Sequence, residues 1–309
     1  MSAPVLEVAR VRKVYRGRVE ALRGISLQVP EGSVFGLLGP NGAGKSTLVK
    51  ILTTIIRPTA CDGTMLGKPI GHKPTLSQVG YLPEHSRFPA YLNGRQVIEY
   101  SAGLAGFPLT RERVDEVLEL VGMKEAGERM VKTYSKGMVQ RIGFAQALVN
   151  DPKLVFLDEP TDGVDPEGRR MMRELLVRMR QEGRTVFVNS HLLGELETVC
   201  DSVVILKDGA VVKQGKLEEL TAGTTRFVVM TTEAIPEELA ARFRSERLSV
   251  MGNRVEVPGA DPAPVQPVLD ALRGAGAIVS QVQQDRQSLE DLFLESMGRT
   301  AEKGREGAE

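Results

Sequence analysis

Six residues, SVFGLL at 33–38, run directly into GPNGAGKST at 39–47, and this junction constrains the chain more than any other part of it. A short apolar run of this kind reads as a buried strand, and the helical pattern from Leu48 to Leu52 completes a strand, glycine loop, helix unit. In Gly39-Pro40-Asn41-Gly42-Ala43-Gly44-Lys45-Ser46-Thr47 the glycines let the backbone approach an anion without a Cβ in the way. Successive N–H groups can then aim at phosphate. Lys45 reaches the terminal phosphates and Ser46 offers Mg²⁺ an oxygen. A plain glycine turn with an exposed lysine is the alternative, and the flanking strand and helix weigh against it.

LVFLDEP at 154–160 reads as a second buried strand that ends in Asp158 and Glu159. Carboxylates there stand at the C-terminal edge of a sheet, where open α/β sheets bind their ligands. Asp158 is placed to hold Mg²⁺ through water, and Glu159 to orient and polarise an attacking water. TVFVNSH at 185–191 is a third strand, ending at His191, whose imidazole can hydrogen-bond a γ-phosphate. Tyr15, in VRKVYRGRVEAL, is placed equally well to stack on an adenine ring or to pack in a core.

Strands alternating with helices predict a parallel-type sheet covered on both faces, hence an α/β fold. Asp165 and Pro166 supply cap and first turn for a helix running to about Arg180, and VVILKDGAVV at 203–212 reads as a hairpin turning at Asp208-Gly209. Between the strands, about 86–150 reads as a helical insertion; Thr110 caps a segment with Val114, Val117, Leu118 and Val121 on one face, stopped by Gly122. After residue 222 the order becomes strand, helix, hairpin, helix, strand, helix over 223–298, a small α+β domain of split-βαβ, ferredoxin-like type. The charged stretch 299–309 is expected to be a mobile tail.

The 309 residues suffice for two domains, and 40 basic against 40 acidic side chains give no overall field to draw nucleic acid or an anionic bilayer. No apolar run approaches the ~20 residues of a membrane span, so the chain is expected to be soluble and not exported. Cys61 and Cys200 have no metal-binding spacing and read as packing residues in a reducing compartment.

YSKGM at 134–138 puts Ser135, Lys136 and Gly137 at the head of a helix, a second anion-binding helix start about ninety residues after the first. Phosphate loop, helical insertion, Ser-x-Gly, LVFLDEP, Gly-Val-Asp and Ser-His in this order resemble the ATP-binding subunits of ABC transporters over about residues 5–220. YSKGM looks like the family's signature motif, VGYLPE at 79–84 like its glutamine loop, and Asp165 like its D-loop. The resemblance implies ATP and Mg²⁺ as ligands, with Gly39, Asn41, Gly42, Ala43, Gly44, Lys45, Ser46 and Thr47 around the phosphates. It implies Ser46, Glu84 and Asp158 toward the metal, and Glu159 with His191 in hydrolysis.

It further implies a head-to-tail homodimer, in which Ser135 and Gly137 of one copy close on the γ-phosphate held by the other. Lys136 would add a donor where the family often has glycine, Glu84 stands where glutamine is usual, and Tyr134 and Met138 replace leucine and glutamine. YSKGM, GYLPE and the ending SLEDLFLE at 288–295 look like the subset served by separate export permeases for drugs, lipids or polysaccharides. The implied location is the cytoplasmic face of a membrane, peripherally, through integral permease subunits. Phe88, Tyr91 and Leu92 are candidates for that docking surface or for core packing. A soluble ABC ATPase that remodels macromolecules is the alternative, and the C-terminal domain reads as dimer support or as a ligand sensor.

Overall fold

The computed structural model describes residues 4–222, 225–259, 261–285 and 288–298. These divide into two compact units, one running to Lys216 and taking in 296–298, the other running from Leu217 to Glu295. The expected mobile tail, 299–309, lies outside the described residues.

The first unit begins with β1 (Pro4–Val14), β2 (Glu20–Pro30), β3 (Val34–Leu38) and α1 (Lys45–Leu52). β4 (Ala60–Met65), β5 (Lys68–Pro69) and β6 (Val79–Leu82) follow, then the helices α2 (Gly94–Leu104), α3 (Arg111–Leu120) and α4 (Lys136–Leu148). It closes with β7 (Leu154–Asp158), α5 (Pro166–Gln181), β8 (Thr185–Asn189), α6 (Leu193–Val199), β9 (Ser202–Lys207) and β10 (Ala210–Lys216).

The larger sheet has the order β10-β9-β3-β8-β7-β6, with every pairing parallel except the edge pair β9–β10. Every residue of β3, β7 and β8 is buried, as near-continuous apolar strands require when both faces are covered. Phe187 stands between Phe35 and Phe156, with ring centroids 5.4 and 5.3 Å away, and each such ring contributes about 1.5–3 kcal/mol by burial. The hairpin turn is where the sequence puts it: Asp208 and Gly209 both have positive φ, 49° and 77°.

The expectation of one parallel-type sheet is incomplete. A second, antiparallel sheet of order β2-β1-β4-β5 packs its Val8, Val11 and Leu22 into one apolar cluster with Leu48 and Leu52 of α1 and with Phe35, Phe156 and Phe187. Its alternation is hidden in the sequence because β1 bulges between Val8 and Val11, with Arg10 at φ 52°. The bulge shifts the buried positions by one residue.

Side-chain caps start each helix of the insertion. Asn93 and Gln96 form a reciprocal capping box on α2, Thr110 accepts from Arg113 N on α3, and Ser135 accepts from Met138 N on α4. α2 and α3 both pack on α4, burying Val97, Ile98, Val114, Val117, Leu118, Ile142 and Phe144.

In the second unit α7 (Leu217–Ala222) is followed by β11 (Arg226–Thr231), α8 (Glu237–Ser245), β12 (Ser249–Met251), β13 (Arg254–Pro258), α9 (Val265–Gly274), β14 (Val279–Asp285) and α10 (Leu289–Ser296). The antiparallel sheet order β12-β13-β11-β14 is that of a split βαβ fold. Val229, Val255 and Val257 form its core with Phe243 of α8 and Leu269 and Leu272 of α9.

Candidate nucleotide site

The loop between β3 and α1 reaches the helix through Gly44, in the left-handed region at φ 99°, with no side-chain cap on the helix. A Cβ at Gly44 would lie 2.6 Å from the Ala21 carbonyl oxygen and 2.7 Å from Leu22 Cδ2. The fold itself therefore demands glycine there, and the first N–H groups of α1 stay available for an anion. They open on a cavity of about 210 Å³ lined by residues 40–47 together with Ala21, Glu84, Glu159 and Asn189.

Lys45 is almost fully buried, and its Nζ donates to the carbonyl oxygens of Gly39 at 2.7 Å and Pro40 at 3.3 Å. Burial lowers its pKa, while Glu159, Asp158 and Glu84 act to hold the proton on. An ammonium parked on the loop's own carbonyls is ready to turn to phosphate.

Opposite the loop, the parallel register sets Asp158 of β7 beside Asn189 of β8. Asn189 Nδ2 donates to Asp158 Oδ1, and both side chains are buried. Burial raises the pKa of Asp158, and the Asn189 amide and then the Ser46 hydroxyl act against the rise. Ser46 and Glu84 line the cavity, whereas Asp158 is buried outside that lining beside Asn189, which is part of it; such hydroxyl and carboxylate oxygens suit Mg²⁺, which takes one or two carboxylates and leaves its other positions to water and phosphate. Asn189 Oδ1 is buried with no hydrogen-bond partner among the described residues. The nearby Tyr81 hydroxyl is pushed up to about 12 by burial and by Asp158 and Glu84.

Glu159 takes positive φ, 51°, in a turn pinned by its N–H donating to Asn189 O at 2.8 Å and by Gln140 Nε2 donating to its own carbonyl at 3.2 Å. A strained backbone held this way aims a side chain. Its Oε2 meets both His191 Nδ1 at 2.7 Å and the His191 N–H at 3.2 Å. Burial raises the Glu159 pKa, and His191 followed by Lys45 opposes the rise. A carboxylate lifted toward neutrality and oriented by an imidazole is equipped to take a proton from water.

The model of the ABC transporter domain matches residues 22–162. An uncharacterised ABC transporter ATP-binding protein of Nostoc sp. is 40% identical over 305 residues, covering 94% of this chain and 89% of that protein. The chain belongs to the ABC transporter ATP-binding proteins. The Nod factor export ATP-binding protein I of Rhizobium sp. is 31% identical, over 98% of this chain and 100% of its own. Among solved structures, cbiO1 of Clostridium perfringens, part of the ABC transporter complex cbiONQ, is 31% identical with a TM-score of 0.62, covering 71% of this chain and 91% of its own.

This ABC ATPase does not bring all its expected site residues into one cavity. Ser135 and Gly137, at the head of α4, are absent from the lining around the phosphate loop, and Asp165 serves as the cap of α5, accepting from Gly168 N at 2.9 Å. Tyr15 also lies outside that lining, but it is 41% exposed with Lys13 Nζ 4.9 Å from its ring centroid. The core-packing alternative for Tyr15 is therefore wrong: β1 ends at Val14 and delivers the ring to the surface.

Phe88 and Leu92 are half-buried and line a separate cleft of about 420 Å³ with Tyr100 and Leu104, whereas Tyr91 is exposed beside it. Sequence reasoning missed Asn189 and Gln140. The signal for Asn189 was present, since laying LVFLD against TVFVN in parallel puts it level with Asp158.

Proposed function

We propose that two copies of this chain close head to tail over two ATP molecules, each copy completing the other's site, and that closure drives a separately encoded membrane permease. Gly137 carries the reading. A Cβ there would come no nearer than 3.7 Å to any neighbour, an ordinary contact, and its backbone is helical. Glycine in a helix costs up to about 1 kcal/mol against alanine, and nothing among the described residues calls for that cost. A close approach from outside the chain accounts for it.

The start of α4 is built to receive such an approach. The first intrahelical bond runs from Val139 N to Ser135 O at 3.0 Å, leaving the N–H groups of Lys136 and Gly137 ahead of it. Ser135 uses an oxygen lone pair on Met138 N and keeps its hydroxyl proton for an acceptor. Within each site Gly39, Asn41, Gly42, Ala43, Gly44 and Thr47 cradle the phosphates, Lys45 turns to the γ-phosphate, and Tyr15 stacks on adenine. Ser46, Asp158 and Glu84 would hold Mg²⁺, which when bound neutralises phosphate charge. Glu159 accepts the water's proton, His191 holds Glu159 in place, and Asp165 faces the other copy.

Among the described residues no helix is long and apolar enough to cross a membrane, and the cleft at Phe88, Leu92, Tyr100 and Leu104 offers a docking surface for a permease. Likeness to a Nod factor export protein favours export, at a membrane's cytoplasmic face. We assign the first unit to the ATP-binding domain and the second, whose helix α7 precedes the expected boundary at 222, to an accessory domain that supports the dimer.

Purified Glu159→Gln, which keeps the site and slows turnover, should sediment as a dimer with Mg-ATP and as a monomer with ADP. A monomer at saturating Mg-ATP contradicts the reading.

A further inference from the structure

A lysine at the second position of the Ser-x-Gly stretch is itself informative. Lys136 Nζ donates to Asp162 Oδ2 at 2.8 Å, tying the start of α4 to the turn that leads away from Glu159. That turn is fixed at its other end by Asp162 N donating to Glu159 O at 3.2 Å. The stem of Lys136 lies across Gly163, at φ 70°, where any Cβ would occupy the volume of the lysine side chain. The turn thus leaves room for this side chain.

Two features make the pair exchangeable rather than fixed. The lysine side chain is 63% exposed and the aspartate 36%, so water competes for both and the bond is weak on the scale of buried pairs. A phosphate with its several charges is a stronger acceptor for an ammonium than one solvated carboxylate.

We infer that Lys136 is a two-position cation, held by Asp162 in the open chain and transferred to the γ-phosphate of the partner copy's ATP when the dimer closes. This rests on the head-to-tail reading above. Asp162 then acts as a competitor that raises the ATP concentration at which closure occurs, and transfer makes closure report on a third phosphate.

The test is ATP-driven dimerisation in the Glu159→Gln background, titrating Mg-ATP and following sedimentation, with circular dichroism to verify folding. Lys136→Gln should need about tenfold more ATP, the loss of one charge-assisted bond, and Lys136→Arg should recover most of it. Asp162→Asn should move the other way, needing about two- to fivefold less ATP. The double variant should match Lys136→Gln. Dimerisation unaltered in Lys136→Gln, or weakened alike by both single substitutions as a structural brace would give, overturns the inference and leaves the head-to-tail reading standing. If the parent Glu159→Gln stays monomeric, both fall.

Discussion

Two helices of this chain begin at a Gly-containing stretch, and the two starts are built in opposite ways. At α1 the fold dictates the glycine: Gly44 sits at φ 99° against the Ala21 carbonyl, its helix has no side-chain cap, and the first N–H groups open on the cavity. At α4 the helix is capped by its own Ser135, Gly137 has helical backbone with room for a Cβ, and neither residue lines that cavity. One glycine is explained by the chain that contains it and the other is not. The fold accounts for the first; under the head-to-tail reading proposed above, a contact from a second copy accounts for the second.

The sharpest way to break this contrast is Ser135→Arg, which should lower ATP hydrolysis by about 10²-fold or more while ATP binding by the dilute chain is unchanged, as fluorescence titration would report. Lys45→Ala at the other helix should lose binding as well. Gly137→Ala sharpens the contrast: hydrolysis should fall about tenfold or more, yet the melting temperature should hold or rise, because alanine is the better helix former. A fall in both would place the need for glycine inside the chain.

His191→Ala probes the first site through Glu159, which lines its cavity. The imidazole opposes the burial that raises Glu159, so its loss lets the carboxyl pKa climb further. Hydrolysis at neutral pH should drop by about tenfold or more, and the acid limb of the kcat profile should move to higher pH. Tyr15→Ala should raise the KM for ATP about three- to tenfold with kcat preserved, and Tyr15→Phe should be near wild type.

The smallest effect concerns stability. The pKa of Asp158 is raised in the folded chain, so its contribution is present below the ordinary carboxylate range and is lost as pH rises through the raised value. Asp158→Asn should therefore raise Tm at neutral pH by ~2–4 °C, the shift that about 1 kcal/mol produces in a domain of this size. The gain should vanish in acid, where Asp158 is itself protonated.

The phosphate loop, the Asp158–Glu159 strand end and the Asp208-Gly209 hairpin were legible because each is a local pattern whose chemistry needs few neighbours. What stayed hidden depended on distant partners. Asn189 meets Asp158 only through the register of β7 and β8, Gln140 reaches Glu159 from a helix nineteen residues earlier, and Lys136 finds Asp162 across 26 positions. The antiparallel sheet was hidden for a different reason: a bulge in β1 broke the alternation by which strands are read. Tyr15 could not be assigned from its neighbours, since only the end of β1 decides whether that ring is inside or out.

Mixing two inactive chains tests the central claim most directly. Lys45→Ala spoils the phosphate loop and Ser135→Arg spoils the start of α4, so each homodimer has only broken sites. A heterodimer pairs the intact loop of one chain with the intact helix start of the other. The account predicts that an equimolar mixture hydrolyses ATP where neither variant does alone, with up to about a quarter of the sites restored. A mixture as inactive as its parts, or a Ser135→Arg chain that hydrolyses ATP at the normal rate by itself, would contradict it.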